Sequence, residues 1–225
     1  MQSTTTPNTS AIAGRLAAIR VGSAHQYLAE RTAQARDELT GMVRFHHLPH
    51  DRQRALCFHE AGHVVADLDL GIPFTSVSVQ PKASEGALGI VRMGAKSRRP
   101  RTDKEAITEC YALLAGGVAE ELATGTRNVA AESDDLRDAH RAVLAVSSNA
   151  TTDQRVRFLE ELRPAVKALL TERWPQVTAV ATALLGQGHL DEEEAYRIAE
   201  SAALCANTAR VCADTKAYLA VRRAR

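Results

Sequence analysis

The sequence predicts a mainly α protein with one small β-hairpin. Three observations carry that expectation. Apolar residues keep approximate helical spacing, as in Ile12, Leu16 and Ile19 followed by Tyr27 and Leu28. Helix-start signals recur, most clearly Thr102 with Glu105 and Asp191 with Glu194. Only two short segments, TSVSVQ (75–80) and LGIVRM (88–93), carry the alternation or branched side chains of strands.

Taken in order, Met1 to Ser10 is polar and Thr-rich and predicts disorder. Residues 11–40 predict one or two helices, with Gly22 a break and Gly41 a stop. Docking on its own core is the ordinary fate of such an arm, with a second copy or another protein as alternatives. FHHLPH (45–50) reads as a linker around Pro49, and its His46, His47 and His50 as ordinary loop histidines. Asp51 is placed to cap a helix running to about Leu70, closed by Gly71 and Pro73. The two strand segments can pair across a loop holding Pro81 and Gly86. KSRRPR (96–101) reads as a solvated basic loop. Thr102 opens a helix that ends near Thr124, before Gly125. After a loop at 125–132, Ser133 caps the next helix, and Thr152 opens a stretch interrupted near Pro164 and Pro175. From Asp191 onward the pattern is helical.

Composition narrows the function classes. Lys and Arg total 28 against 27 Asp and Glu, a formal charge of +1 with the signs interspersed. A general nucleic-acid binder would need a broad basic field. The start of the chain has no secretory pattern. No apolar run approaches the roughly 18 residues of a membrane span. A cytoplasmic location is therefore expected. Cys57, Cys110, Cys205 and Cys212 are too scattered for a disulfide framework or a zinc knuckle. On a helix, Cys205 and Cys212 would lie about 10 Å apart, too far to bridge.

The chemistry concentrates in CFHEAGHVVA (57–66). Residues four apart on a helix share a face, so His59 and His63 can clamp one zinc through neutral nitrogens. Glu60 lies about 100° round from His59, near enough to reach a water activated by the metal. Ala61 and Gly62 leave room for a second helix to pack closely. This HExxH spacing predicts a zincin-type hydrolase with Glu60 as general base.

A third ligand is needed, and many carboxylates could supply it. Asp134 and Asp135 open a helix after a loop and are candidates. Carboxylates are also favoured there by ordinary helix-start electrostatics. In LLAGGVAEEL (113–122), Leu113, Gly116, Gly117 and Glu120 share one face. The glycines let another helix approach, so Glu120 could orient a ligand imidazole through its second nitrogen. A solvated charge is the alternative.

These motifs together resemble the zinc peptidase domain of the ATP-dependent FtsH-type proteases, over about Arg54 to Ala199. HEAGH (59–63) is similar to that family's zinc helix, and PKASEGALGI (81–90) to its proline-led hairpin ending in Ala-Leu-Gly. LLAGGVAEEL resembles its helix with Gly-Gly and Ala-Glu-Glu, and SDDL (133–136) falls where the family carries Asn-Asp-Leu. Residues 168–199 are similar to its closing helices.

The resemblance implies a single zinc held by His59, His63 and Asp135, with Asp134 a bystander and Glu120 a support. It also implies that polypeptide substrate adds as a strand along Leu88, Gly89, Ile90 and Val91. The expected organisation is a helical arm and linker (1–50), the peptidase domain (51–205) and a helical extension (206–225). The family's ATPase module and membrane anchor have no counterpart in this sequence, and the stretch from Asp135 to Ala168 is shorter than the family's. The expected activity is thus cleavage of flexible or unfolded polypeptide without ATP. The helical arms would be the place for self-association or a separate partner. A metal-binding regulatory module without catalysis is the other class that fits.

Overall fold

In a computed structural model the chain runs α1 (Thr9–His46), α2 (His50–Leu70), β1 (Phe74–Ser78), β2 (Ile90–Met93), α3 (Asp103–Thr124), α4 (Ser133–Val146), α5 (Thr152–Glu172), α6 (Trp174–Gln187), β3 (His189–Asp191) and α7 (Glu192–Arg223). The structure describes the backbone of residues 9–80, 84, 88–93, 100 and 102–223, with side chains described outside 9–25 and 211–223. The fold is mainly α with a small antiparallel sheet, as the sequence predicts.

Small residues set the central crossing. A Cβ on Gly62 of α2 would lie 2.5 Å from both the Ala115 carbonyl oxygen and the Ala119 Cβ of α3. Glycine there lets the two backbones approach further than any other residue would allow. On its other side α2 meets α6, where Phe58 and Trp174 stack with centroids 5.4 Å apart. Val64, Val118, Val166, Leu170, Val177, Val180 and Leu184 fill the space between α2, α3, α5 and α6, all at most 1% exposed. Burying each contributes about 1.5–3 kcal/mol relative to leaving it in water.

The sheet has the order β2-β1-β3, all antiparallel. Val77 sits at its centre, opposite Val91 on one side and Leu190 on the other. The expected hairpin of β1 and β2 is present. Its loop residues Pro81 and Gly86 lie outside the described residues. The third strand was not foreseen: His189–Asp191 is too short to show alternation. It follows Gly188, whose φ of +76° favours glycine. Beyond β2, no strand pairs with the outer edge among the described residues.

Several boundaries differ from expectation. α1 neither breaks at Gly22 nor stops at Gly41. One glycine costs about 1 kcal/mol in a helix interior, too little to end so long a helix. The segment expected to be a linker is largely structured. Phe45 and His46 complete α1, and Phe45 is 2% exposed within the core. Among the described side chains of α1, Gly41 and Phe45 are buried against the core, while Tyr27, Leu28, Leu39, Met42 and Val43 are exposed.

Asp51 does not cap α2; Pro49 holds that position, and Asp51 lies in the first turn, where a carboxylate favours the helix dipole. Gly71 closes α2 with φ of +67°, as expected. Thr102 and Glu105 form the reciprocal capping box, and Gly125 ends α3. Ser133 is the first residue of α4 rather than its cap, a position held by Glu132. Thr151, not Thr152, caps α5 through a reciprocal box with Gln154. α5 continues through Pro164, whereas Pro175 sits in the first turn of α6, where no N–H is needed. Asp191 accepts the Glu194 N–H at 2.8 Å.

Of the basic loop 96–101, only Pro100 is described, and it is buried. Residues 1–8 and the Cys212 side chain also lie outside the described residues. α7 runs without a break across position 205. Among the described residues no helix is long and apolar enough to cross a membrane.

Candidate metal centre

α2 brings His59 and His63 one turn apart on the face turned toward α3, with ring centroids 4.9 Å apart. The space for both rings comes from Gly116. A Cβ there would overlap His63 Nε2 and lie 2.6 Å from His59 Nε2. Across this gap, the first turn of α4 presents Asp135. Its Oδ2 is 3.1 Å from His59 Nε2 and 3.4 Å from His63 Nε2.

The second ring nitrogens are occupied elsewhere. His59 Nδ1 lies 3.2 Å from Glu120 Oε2, and His63 Nδ1 lies 2.8 Å from the Ala112 carbonyl oxygen. Both acceptors want a proton on Nδ1, which leaves each Nε2 facing Asp135 for a metal ion or for a proton shared with that carboxylate. Glu120 is itself held, with Asn128 Nδ2 donating to its Oε1 at 2.9 Å.

These donors fit a metal ion. Tetrahedral zinc with bonds of about 2.0–2.1 Å sets its ligand atoms about 3.3 Å apart. The spacings of Asp135 Oδ2 from the two ring nitrogens, 3.1 and 3.4 Å, bracket that value. His59, His63 and Asp135 each offer one ligand atom, all within 4.8 Å of one another. No other such group occurs among the described residues, and His46, His47 and His50 form none. Asp134 points away: its side chain is 80% exposed and pairs with Arg137 at 2.8 Å.

A proton competes with a metal for the same nitrogens. Burial alone would pull the His59 pKa down. Hydrogen bonds to Asp135 and Glu120, with the charges of Glu60 and Asp135, outweigh it and push His59 up to about 10. His63 is raised in the same way, chiefly by Asp135 against burial. Burial would raise Asp135, but the His63 charge and the hydrogen bonds to His59 and His63 hold it well below the usual carboxylate range. Glu120 is lowered too, since its bonds to His59 and Asn128 outweigh burial.

Glu60 is 5% exposed. Burial raises its carboxyl, and the neighbouring histidines oppose that only in part. Its carboxyl lies against Gly89, where a Cβ would sit 2.6 Å from Glu60 Cδ. The structure therefore joins Glu60 to the segment that leads into β2. Within that segment Leu88 is 45% exposed, while Gly89, Ile90 and Val91 are half-buried. Ile90 and Val91 pair with Ser78 and Val77 of β1.

Three groups at the site escaped the sequence reading. The Ala112 carbonyl carries no side-chain signal at all. Asn128 is one polar loop residue among several. Asp67, one turn beyond His63, is 3% exposed and pushed up to about 7 by burial against the pull of His63. The spacing His59, His63, Asp67 could have revealed it, since all three share a helical face.

Comparison with protein-family models finds no match to this chain, and comparison with curated proteins finds none either. Function is therefore read from the chemistry of the site.

Proposed function

We propose that the chain is a zinc-dependent endopeptidase acting on flexible or unfolded polypeptide, in the manner of the family it resembles. One observation carries the reading: two imidazoles and one carboxylate converge from α2 and α4, their ligand atoms within 4.8 Å of one another and Asp135 Oδ2 at 3.1 and 3.4 Å from the two ring nitrogens. Three protein ligands are the usual set of a catalytic zinc site, whereas structural sites use four.

His59, His63 and Asp135 would hold the metal, and Glu120 and the Ala112 carbonyl would fix the two rings. When bound, zinc would acidify a water and polarise the scissile carbonyl. Glu60 would take the proton of that water and pass it to the leaving amine. Its buried, raised carboxyl suits a group that must both accept and return a proton. The outer edge of β2, unpaired among the described residues, would offer backbone partners to an extended peptide, and Gly89, which leads into β2, lies against the Glu60 carboxyl. Tyr27, Leu28 and Leu39, exposed on α1, would serve a second copy or a separate partner.

Glu60→Gln tests the chemistry. Elemental analysis should find zinc retained, while hydrolysis of unfolded casein falls by about 10²-fold or more. Full activity in this variant would overturn the mechanism.

The enclosure of Glu60 favours a second reading, a metal-binding module that regulates without cutting. Zinc-loaded protein that cleaves neither casein nor a co-purifying partner would select it. Cleavage of one partner alone would instead mark a narrow peptidase.

A further inference from the structure

A buried ion pair lies beside the metal group, and the proposed chemistry does not use it. Glu132 is 3% exposed, and Arg163 of α5 is 9% exposed. Arg163 Nη1 donates to Glu132 Oε2 at 3.1 Å and Nη2 to Oε1 at 3.3 Å. Nη2 also donates to Glu121 Oε2 on α3 at 2.7 Å. Arg127 Nε adds a bond to Glu132 Oε2 at 3.1 Å, and its Nη1 reaches Glu160 at 2.9 Å. Glu132 fits against α3 because residue 117 is glycine: a Cβ there would overlap its carboxyl group. The adjacent glycines thus face two different tasks, Gly116 clearing the imidazoles and Gly117 clearing Glu132.

Stability alone does not explain so much buried charge. An apolar pair of similar volume is often as stable or more so. What a two-pronged Arg–carboxylate pair adds is direction. The Glu132 carbonyl accepts the Leu136 N–H at 2.8 Å, the first helical bond of α4. Its side chain is meanwhile fixed from α5 and from the loop before it. Asp135 follows three residues later, and its Oδ2 must meet two ring nitrogens within a few tenths of an ångström. The same loop reaches the other side of the site: the Glu132 N–H donates to the Asn128 carbonyl at 3.2 Å, and the Asn128 side chain holds Glu120.

The geometry points to Glu132 and Arg163 as positioning residues for the third metal ligand, fixing the first turn of α4 so that Asp135 reaches His59 and His63. This rests on the reading of Asp135 as a ligand.

The test replaces both charges in the full chain with apolar groups of similar length, Glu132→Met with Arg163→Met. The variant should fold and melt close to the parent. Its zinc affinity, measured by competition with a chromophoric chelator, should fall about 10–100-fold. Adding Asp135→Ala should cost little more, since both changes remove one interaction. A folded double variant with parental affinity would overturn the proposal.

If the double variant does not fold, Glu132→Gln keeps the shape and removes the charge. It should lose several-fold in zinc affinity, and parental affinity would again overturn the assignment. A parent that binds no zinc would sink the proposed function instead. Imidazole NMR of the metal-free protein then decides the positioning role. His59 and His63 signals in the double variant should match those of Asp135→Ala, and parental signals would refute it.

Discussion

The metal group and α1 are built on opposite principles. Around His59 and His63, ring nitrogens meet Glu120, Asp135 or the Ala112 carbonyl, and glycines at 62, 116 and 117 bring the helices into close contact. Along α1, several exposed side chains pair within their own helix, such as Gln26 with Glu30 and Gln34 with Glu38, each at 2.9 Å. Among its described side chains Gly41 and Phe45 are the buried ones, and Asp37 accepts the Ser84 N–H at 2.9 Å. Pairs of that exposed local kind contribute a few tenths of a kcal/mol each. The site is therefore specified by long-range packing, whereas the exposed described side chains of α1 draw more on local pairs. Changes near the site should alter metal binding, and changes along α1 should leave it alone.

The largest effect should come where the two regions meet. Phe45→Ala, at the buried end of α1, should cost about 3–5 kcal/mol in a denaturant titration. A loss below 1 kcal/mol would show that α1 is independent of the core.

Next is Gly116→Ala. Its methyl would collide with both imidazoles. Strain of about 1–3 kcal/mol is expected, with zinc affinity falling further than stability alone would predict. Unchanged affinity in a folded variant would mean the ring positions do not depend on α3.

The pH dependence separates proton from metal. His59, raised to about 10 against an ordinary 6.5, stabilises the metal-free protein fully below pH 6.5. That contribution fades as pH rises toward 10. Zinc must displace the proton, so its affinity should rise with pH, about tenfold per unit for each proton released. The gap in melting temperature between zinc-loaded and metal-free protein should widen from pH 6 to 8, and a constant gap would contradict it. Asp135, depressed by the same contacts, contributes above its ordinary value near 3.8 and is lost at lower pH. Asp67 behaves in the reverse sense to Asp135: raised to about 7 from 3.8, it favours folding below pH 3.8 and less so as pH climbs through 7. Asp67→Asn should therefore flatten the decline in stability between pH 4 and 8.

The smallest effect is expected on α1. Leu39→Gln, at a side chain 58% exposed, should change stability by no more than about 0.5 kcal/mol and leave zinc binding intact. Any effect would appear in self-association or partner binding instead.

The same division governs what could be read from the sequence. Signals local to one helix were legible. The turn at Gly71, the capping box at Thr102 and the one-face spacing of His59 and His63 each depend on neighbouring residues only. Asp134 and Asp135 could not be separated by local chemistry, since helix-start electrostatics treats them alike. The rotation of α4 separates them, turning Asp135 inward and leaving Asp134 exposed. Glu132 and Arg163 are 31 positions apart, and nothing short of the assembled fold joins them. β3 escaped for a related reason: it is a strand only because β1 is there to pair with it. α1 was misread through its glycines, which act as stops only when the chain gains more by turning.

Zinc content after exhaustive dialysis tests the account most directly. Protein stripped with a chelator, reloaded and dialysed should hold one zinc per chain, and Asp135→Ala should hold well below one. A parent that retains none, or an Asp135→Ala variant that retains a full equivalent, would contradict a zinc site made of His59, His63 and Asp135.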